Sequence, residues 1–206
     1  MVLVSQLLSA AVQLLLLTAV PLLWYAVSRR RLAGFWRWLG LYPAAKAPVK
    51  AMCGILLGLS LATLLPYWYL YRTDSLTYSG FTVDSFRQTG WSVQTFAVIL
   101  IWAVVQTSLT EEIFFRGFLC KRLSEKWGWR IGCAVQAALF GALHLPAVWG
   151  KGLFPALVIL LLTGGIGFAL GWLCQRRAGG SILYGWCIHA VANILSTVVV
   201  FRFLLR

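Results

Sequence analysis

Acidic side chains are scarce in this 206-residue chain: five, against eighteen Lys and Arg, with 11% charged residues overall. A soluble domain carries about 25% charge. With 61% of residues hydrophobic and a mean hydropathy of +0.83, there is too little polar surface to cover a soluble fold. No C-x-x-C pair occurs. Cys53, Cys120, Cys133, Cys174 and Cys187 all lie in or beside apolar runs, which argues against a disulfide framework or a zinc knuckle. No H-E-x-x-H occurs, so a helix-borne zinc pair of that kind is excluded. The net charge of +13 would suit nucleic acid, but no basic stretch is long enough or suitably interleaved with aromatics to form such a platform. Low-complexity tails, short repeats and a soluble second domain are missing as well. The first apolar run lacks a basic segment before it and is followed by Arg29-Arg30-Arg31, so it reads as a membrane anchor rather than a signal peptide.

What is there is apolar length. A helix needs about 20 apolar residues to cross the hydrocarbon core, and six stretches qualify: roughly Val4 to Val27, Ala51 to Tyr71, Ser92 towards Cys120, Ile131 to Trp149, Leu153 to Cys174, and Ser181 to Phe203. The expected fold is all-α, a polytopic transmembrane helical bundle of about six spanning helices in the cell membrane. The expected division is two N-terminal helices and a polar loop over residues 1–90, then a four-helix core over 91–206. The polar stretch from Arg72 to Trp91 is expected to be a connector. Lys and Arg crowd the first, third and fifth loops, which places those loops in the cytoplasm and both termini outside, although Arg202 and Arg206 oppose this. Trp24, Trp36, Trp38, Trp68, Trp91, Trp127, Trp129 and Trp149 lie near expected helix ends or in loops, as interfacial anchors do. Gly54-x-x-x-Gly58 and Gly167-x-x-x-Gly171 are small-residue faces, expected to serve packing within the chain.

Against this background the third stretch stands out, because it carries Thr110-Glu111-Glu112-Ile113-Phe114-Phe115-Arg116. A charge at mid-membrane costs at least about 2.5–3.5 kcal/mol and as a rule faces the protein interior. Glu112 and Arg116 are four apart and share an α-helical face, so they are expected to pair. Glu111, turned by about 100° in such a helix, is left over. Both histidines also lie in expected spans: His144 one turn after Phe140, with Gln136 a further turn back, and His189 one turn before Asn193. Polar groups in lipid seek one another, so three helices are expected to converge on one polar site. A carboxylate beside an imidazole can deprotonate water, and a second imidazole with a carboxamide can stabilise an oxyanion. That chemistry is hydrolysis of a peptide or acyl bond without a Ser or Cys nucleophile. The same residue types could also bind a divalent metal such as zinc.

Glu111-Glu112-x-x-x-Arg116, Phe140-x-x-x-His144 and His189-x-x-x-Asn193, in that order on three helices, resemble the motifs of the CPBP family of intramembrane proteases. That family includes CAAX prenyl endopeptidases and the bacteriocin-processing or immunity proteins of the Abi group, and the resemblance covers roughly Ser92 to Val200. It implies a glutamic-type intramembrane endopeptidase acting on a peptide or membrane-protein substrate. Glu111 and His144 would activate water and His189 and Asn193 would form the oxyanion hole. Arg116 would orient the Glu pair, Glu112 would support it, and Phe140 would shape the cavity wall. A metal-free site is favoured. The rival readings are a non-catalytic immunity or scaffold protein of the same fold, and a proton-coupled transporter.

Overall fold

The computed structural model describes residues 1–75 and 81–204, and these residues form helices and turns with no strand among them. The helices are α1 (Val2–Arg29), α2 (Phe35–Leu39), α3 (Val49–Arg72), α4 (Phe81–Thr89), α5 (Val93–Trp127), α6 (Trp129–Leu143), α7 (Leu153–Arg177) and α8 (Leu183–Arg202). Five of them, α1, α3, α5, α7 and α8, are long and apolar enough to cross a membrane. The chain is thus an all-α, multi-pass membrane protein.

The fourth expected span is shorter than its apolar run. α6 has 15 residues, about 22 Å at about 1.5 Å per residue, against about 30 Å of hydrocarbon. His144 caps it, and Pro146 lies in the short 3-10 turn Leu145–Val148 that follows. Proline cannot donate the amide that would continue the α-helix. The third span is longer than expected, 35 residues running to Trp127, so Glu111 sits near its middle. The stretch expected to be a connector lies partly outside the described residues, and its described part holds a helix, α4, with Asp84 in its first turn. Arg206, part of the charge argument for orientation, also lies outside them.

The chain divides into two compact units. The first comprises Met1–Trp38, Tyr78–Phe114 and Trp186–Arg206. In it α1 and α4 pack along the first half of α5. Val83, Ile99 and Phe201 form a buried cluster, with Phe86 stacked on Phe201 at 4.4 Å. Ser92 caps α5, its hydroxyl accepting the Thr95 amide at 3.1 Å. From Ile101 the helix widens to i→i+5 bonding through Leu109, and again over Glu112–Cys120. Wide π turns of this kind are rare and frequent at functional sites.

The second unit comprises Leu39–Thr77 and Phe115–Gly185. α6 and α7 lie almost backbone to backbone. A Cβ on Gly141 would fall 2.5 Å from the Leu160 carbonyl oxygen, and one on Gly167 3.2 Å from the Ala137 Cα. Gly171 would meet the Gln136 amide at 3.0 Å, so the Gly167–Gly171 face packs within the chain as expected. The Gly54–Gly58 face does not. A Cβ at either position would meet nothing within 4 Å, and the spanning window of α3 buries none of its residues in the chain.

The loops of this unit sort by parity. The first touches the fifth: the Tyr42 hydroxyl donates to the Gly179 carbonyl at 2.7 Å, and the Ile182 amide donates to the Gly40 carbonyl at 3.0 Å. Lys121, counted with the third loop, donates to the Leu39 carbonyl at 3.0 Å. Lys151 of the fourth loop donates to the Asp74 carbonyl of the second at 2.6 Å. Odd loops thus meet odd, and even meet even, as alternating spans require.

Candidate active site

The stretch Gln106–Glu112 is the densest polar segment of α5, and within the first unit its residues serve three different partners. His189 of α8 stands between the two carboxylates. Its Nδ1 lies 3.2 Å from Glu112 Oε1 and its Nε2 lies 3.6 Å from Glu111 Oε2. The first is a hydrogen bond, whereas the second is an ion-pair distance too long for one. All three side chains are buried: Glu112 is 0% exposed, His189 8% and Glu111 9%.

The expectation for this segment therefore changes in one respect. In an α-helix adjacent residues diverge by about 100°, which left Glu111 without a partner. The backbone here closes i→i+5 from Glu112 onward, so each residue turns less about the axis. His189 stands where both carboxylates reach it, one at each ring nitrogen.

Asn193, one turn beyond His189, is fixed by two residues that carry no motif. Its Nδ2 donates to Thr107 Oγ1 at 2.9 Å and to Ser108 Oγ at 3.2 Å. Trp186 ties the start of α8 to the same helix, its indole N–H donating to the Val104 carbonyl at 2.7 Å. Ser and Thr carry no charge and are common in membrane helices, so the only available signal was their position one turn before the Glu pair.

Arg116, Phe140 and His144 belong to the second unit. The Arg116 guanidinium, fully buried, lies 4.3 Å over the Phe140 ring. Such a cation–π contact is worth more when desolvated, about 2 kcal/mol. Phe140 is packed edge-on by Phe115 at 5.0 Å and meets the His144 ring at 4.7 Å. His144 Nδ1 lies 2.8 Å from the Phe140 carbonyl oxygen. A carbonyl only accepts, so the proton sits on Nδ1 and the Nε2 lone pair is left available, the tautomer a general base or a water acceptor needs. Gln136, expected on the His144 face, is used for packing: its Nε2 donates to the Gly167 carbonyl at 2.7 Å and to the Cys133 carbonyl at 3.1 Å.

A divalent metal would need several donors converging on one point. In the first unit both His189 nitrogens are turned to a carboxylate instead. Among the described residues no three His, Cys, Asp or Glu side chains form a group able to hold a metal ion.

Spanning helices that bring two buried carboxylates and a buried imidazole together with a half-buried carboxamide define a polytopic membrane protein with a polar cluster in its interior. The comparison with family models makes this specific. The model described as "Type II CAAX prenyl endopeptidase Rce1-like" matches residues 93–195, half of the chain. The chain belongs to that family, and with it to the membrane-embedded peptidases. No curated protein and no solved structure matches. The matched segment begins at α5 and includes every one of Glu111, Glu112, Arg116, Phe140, His144, His189 and Asn193.

Proposed function

We propose that the protein is a glutamic-type intramembrane endopeptidase that hydrolyses a peptide bond with water activated by Glu111 and His144, without a metal. The observation that carries this reading is the His189 imidazole held between Glu111 and Glu112 beside an anchored Asn193.

In the proposed cycle Glu111 takes a proton from water while the Nε2 lone pair of His144 orients it. The hydroxide adds to the scissile carbonyl and forms a tetrahedral oxyanion. His189, steadied through Nδ1 by Glu112, offers its Nε2 proton as a hydrogen bond to that oxyanion. Asn193 is the second donor. Its two amide hydrogens serve Thr107 and Ser108 at rest, so it exchanges one of these bonds for the substrate oxygen. Collapse breaks the C–N bond, and the proton held by Glu111 goes to the leaving amine. The products are a carboxylic acid and an amine, and passage of the remaining hydroxyl proton to the amine gives carboxylate and ammonium. Arg116, stacked on Phe140, adds positive charge in the same helix as the Glu pair and orients it.

The catalytic core in this reading is residues 91–206. The substrate class supported by the family match is a prenylated C-terminal CAAX peptide. The test uses purified protein in lipid nanodiscs and a farnesylated, internally quenched CAAX peptide. Wild type is expected to cleave it. Glu111→Gln, which keeps shape but cannot take a proton, is expected to lose at least about 10²–10⁴-fold in kcat, the usual contribution of a general base. Activity is expected to survive exhaustive chelation; its loss on chelation, with recovery on adding zinc, would overturn the metal-free mechanism.

A further inference from the structure

The N-terminal helix α1 lies outside the family match and carries no motif residue, yet its side chains are hydrogen-bonded to the segment that bears Glu111. Gln6, Ser9 and Gln13 are spaced 3 and 4 apart, so they form one stripe on α1. The remaining faces present Leu7, Leu8, Val12, Leu15 and Leu16, all about half exposed or more, as lipid-facing positions are. The stripe meets Gln106 and Thr110. Gln106 Nε2 donates to Ser9 Oγ at 2.9 Å and to Gln13 Oε1 at 3.2 Å. Gln13 Nε2 donates to Thr110 Oγ1 at 3.3 Å, and Gln6 Nε2 donates to Gln106 Oε1. Gln6 and Thr110 are fully buried, and Thr110 is the residue immediately before Glu111.

Three carboxamides on two apolar helices are an expensive way to hold those helices together. Interhelical hydrogen bonds in membranes average only about 0.6 kcal/mol each, and close packing of small residues would serve equally well. What the amides add is register. Gln106 and Thr110 are committed to α1, Thr107 and Ser108 to Asn193, and Glu111 and Glu112 to His189. Sliding or rotating α5 by one residue would set Leu109 against Gln13 and leave amides unpaired in an apolar setting, at about 1–3 kcal/mol each.

We propose that α1 is a positioning element of the active site: Gln6, Ser9 and Gln13 clamp Gln106 and Thr110 and thereby fix the rotation and depth at which α5 presents Glu111. The proposal rests on the reading of Glu111 as the base. Gln13 and Gln106 are positioning residues, since neither touches the reacting atoms. They set the carboxylate where the water and scissile carbonyl must meet, and a misplacement of about 1 Å there costs about 10²-fold in rate.

The test measures kcat and KM on the farnesylated CAAX peptide for Gln13→Leu, Gln106→Leu, the double variant and Gln13→Glu, all in nanodiscs. The leucines keep α1 and α5 apolar and membrane-inserted. Each is expected to lower kcat by about 10- to 100-fold with KM within about twofold of wild type. The double variant is expected to lose less than the product of the two single effects, because the two substitutions share the Gln13–Gln106 bond. Gln13→Glu is the rescue. Its carboxyl, when neutral, both donates and accepts as the amide does, so kcat is expected near wild type at low pH and to fall on raising pH more steeply than wild type. Unchanged kcat in both leucine variants overturns the proposal. So does a Gln13→Glu pH profile parallel to wild type, which would leave the amides as packing only.

A second readout separates this from the activity itself. A hydrophobic carbodiimide modifies buried carboxyls, and mass spectrometry quantifies the adduct on Glu111. Gln13→Leu is expected to change that rate at fixed pH by at least about threefold, equivalent to about half a pH unit. If wild type fails to cleave the peptide, the reading of Glu111 as the base fails, and an altered labelling rate still upholds the clamp. An unaltered rate overturns it.

Discussion

Replacing Thr107 by Val and Ser108 by Ala removes the two hydroxyls to which Asn193 donates at 2.9 and 3.2 Å, with almost no change in side-chain volume. Interhelical bonds of this kind are worth about 0.6 kcal/mol on average and up to about 1.7. The pair of changes should therefore cost about 1–2 kcal/mol of stability, a modest shift in a detergent or nanodisc melt. The catalytic consequence differs in kind. Asn193→Ala removes a proposed oxyanion donor, and the loss of such a donor lowers kcat by about 10²–10³-fold, about 2.7–4 kcal/mol. Thr107→Val with Ser108→Ala leaves the donor in place but unanchored, and about a tenfold loss is expected. In Asn193→Ala the anchors have nothing left to hold, so adding the two anchor changes to it should slow kcat no further. Initial rates on the fluorogenic prenylated peptide give kcat and KM for the four proteins of this cycle. An Asn193→Ala enzyme with wild-type kcat would refute the oxyanion assignment. Additive losses in kcat would show that Thr107 and Ser108 act independently of Asn193.

Three further outcomes follow from other parts of the molecule. Glu112→Gln keeps an oxygen that can accept from His189 Nδ1 at 3.2 Å, so it is expected to lose about tenfold in kcat where Glu111→Gln loses at least about 10²-fold; equal losses would erase the division of labour between the two carboxylates. Gly40→Ala places a Cβ 2.3 Å from the Gly180 carbonyl at a φ of +102°, and is expected to lower stability by more than about 1 kcal/mol, read as a lower melting temperature. Phe140→Leu removes the ring under the Arg116 guanidinium and is expected to destabilise the fold by roughly 2 kcal/mol; an unchanged melt would show that the contact carries no weight.

The features legible in the sequence were those with few competing explanations. A carboxylate pair inside an apolar run is costly wherever it occurs, so Glu111 and Glu112 identified themselves, and the only two histidines and Asn193 narrowed the chemistry further. The apolar runs located all five long spans, and Ser92 marked the start of α5, where it caps the helix. What stayed hidden depended on geometry or on common residues. The wide turns over Ile101–Leu109 and Glu112–Cys120 are not written in any composition, nor is the place of His189 between Glu111 and Glu112. Thr107, Ser108 and Gln106 are ordinary residues until a partner helix is seen to use them. Gly54 and Gly58 show the converse: the spacing promised a packed face within the chain, and the space beside them is open. α6 was overestimated because hydropathy continues past His144 while the helix stops, with Pro146 two residues on.

The central claim is that Glu111, held against His189, is the base that activates water. The most direct measurement compares cleavage of the farnesylated CAAX peptide by wild type and Glu111→Gln in proteoliposomes, at equal folded protein judged by melting temperature. The account predicts robust cleavage by wild type and at least about a 10²-fold lower kcat for the variant with the melt preserved. Cleavage by Glu111→Gln at the wild-type rate would contradict it.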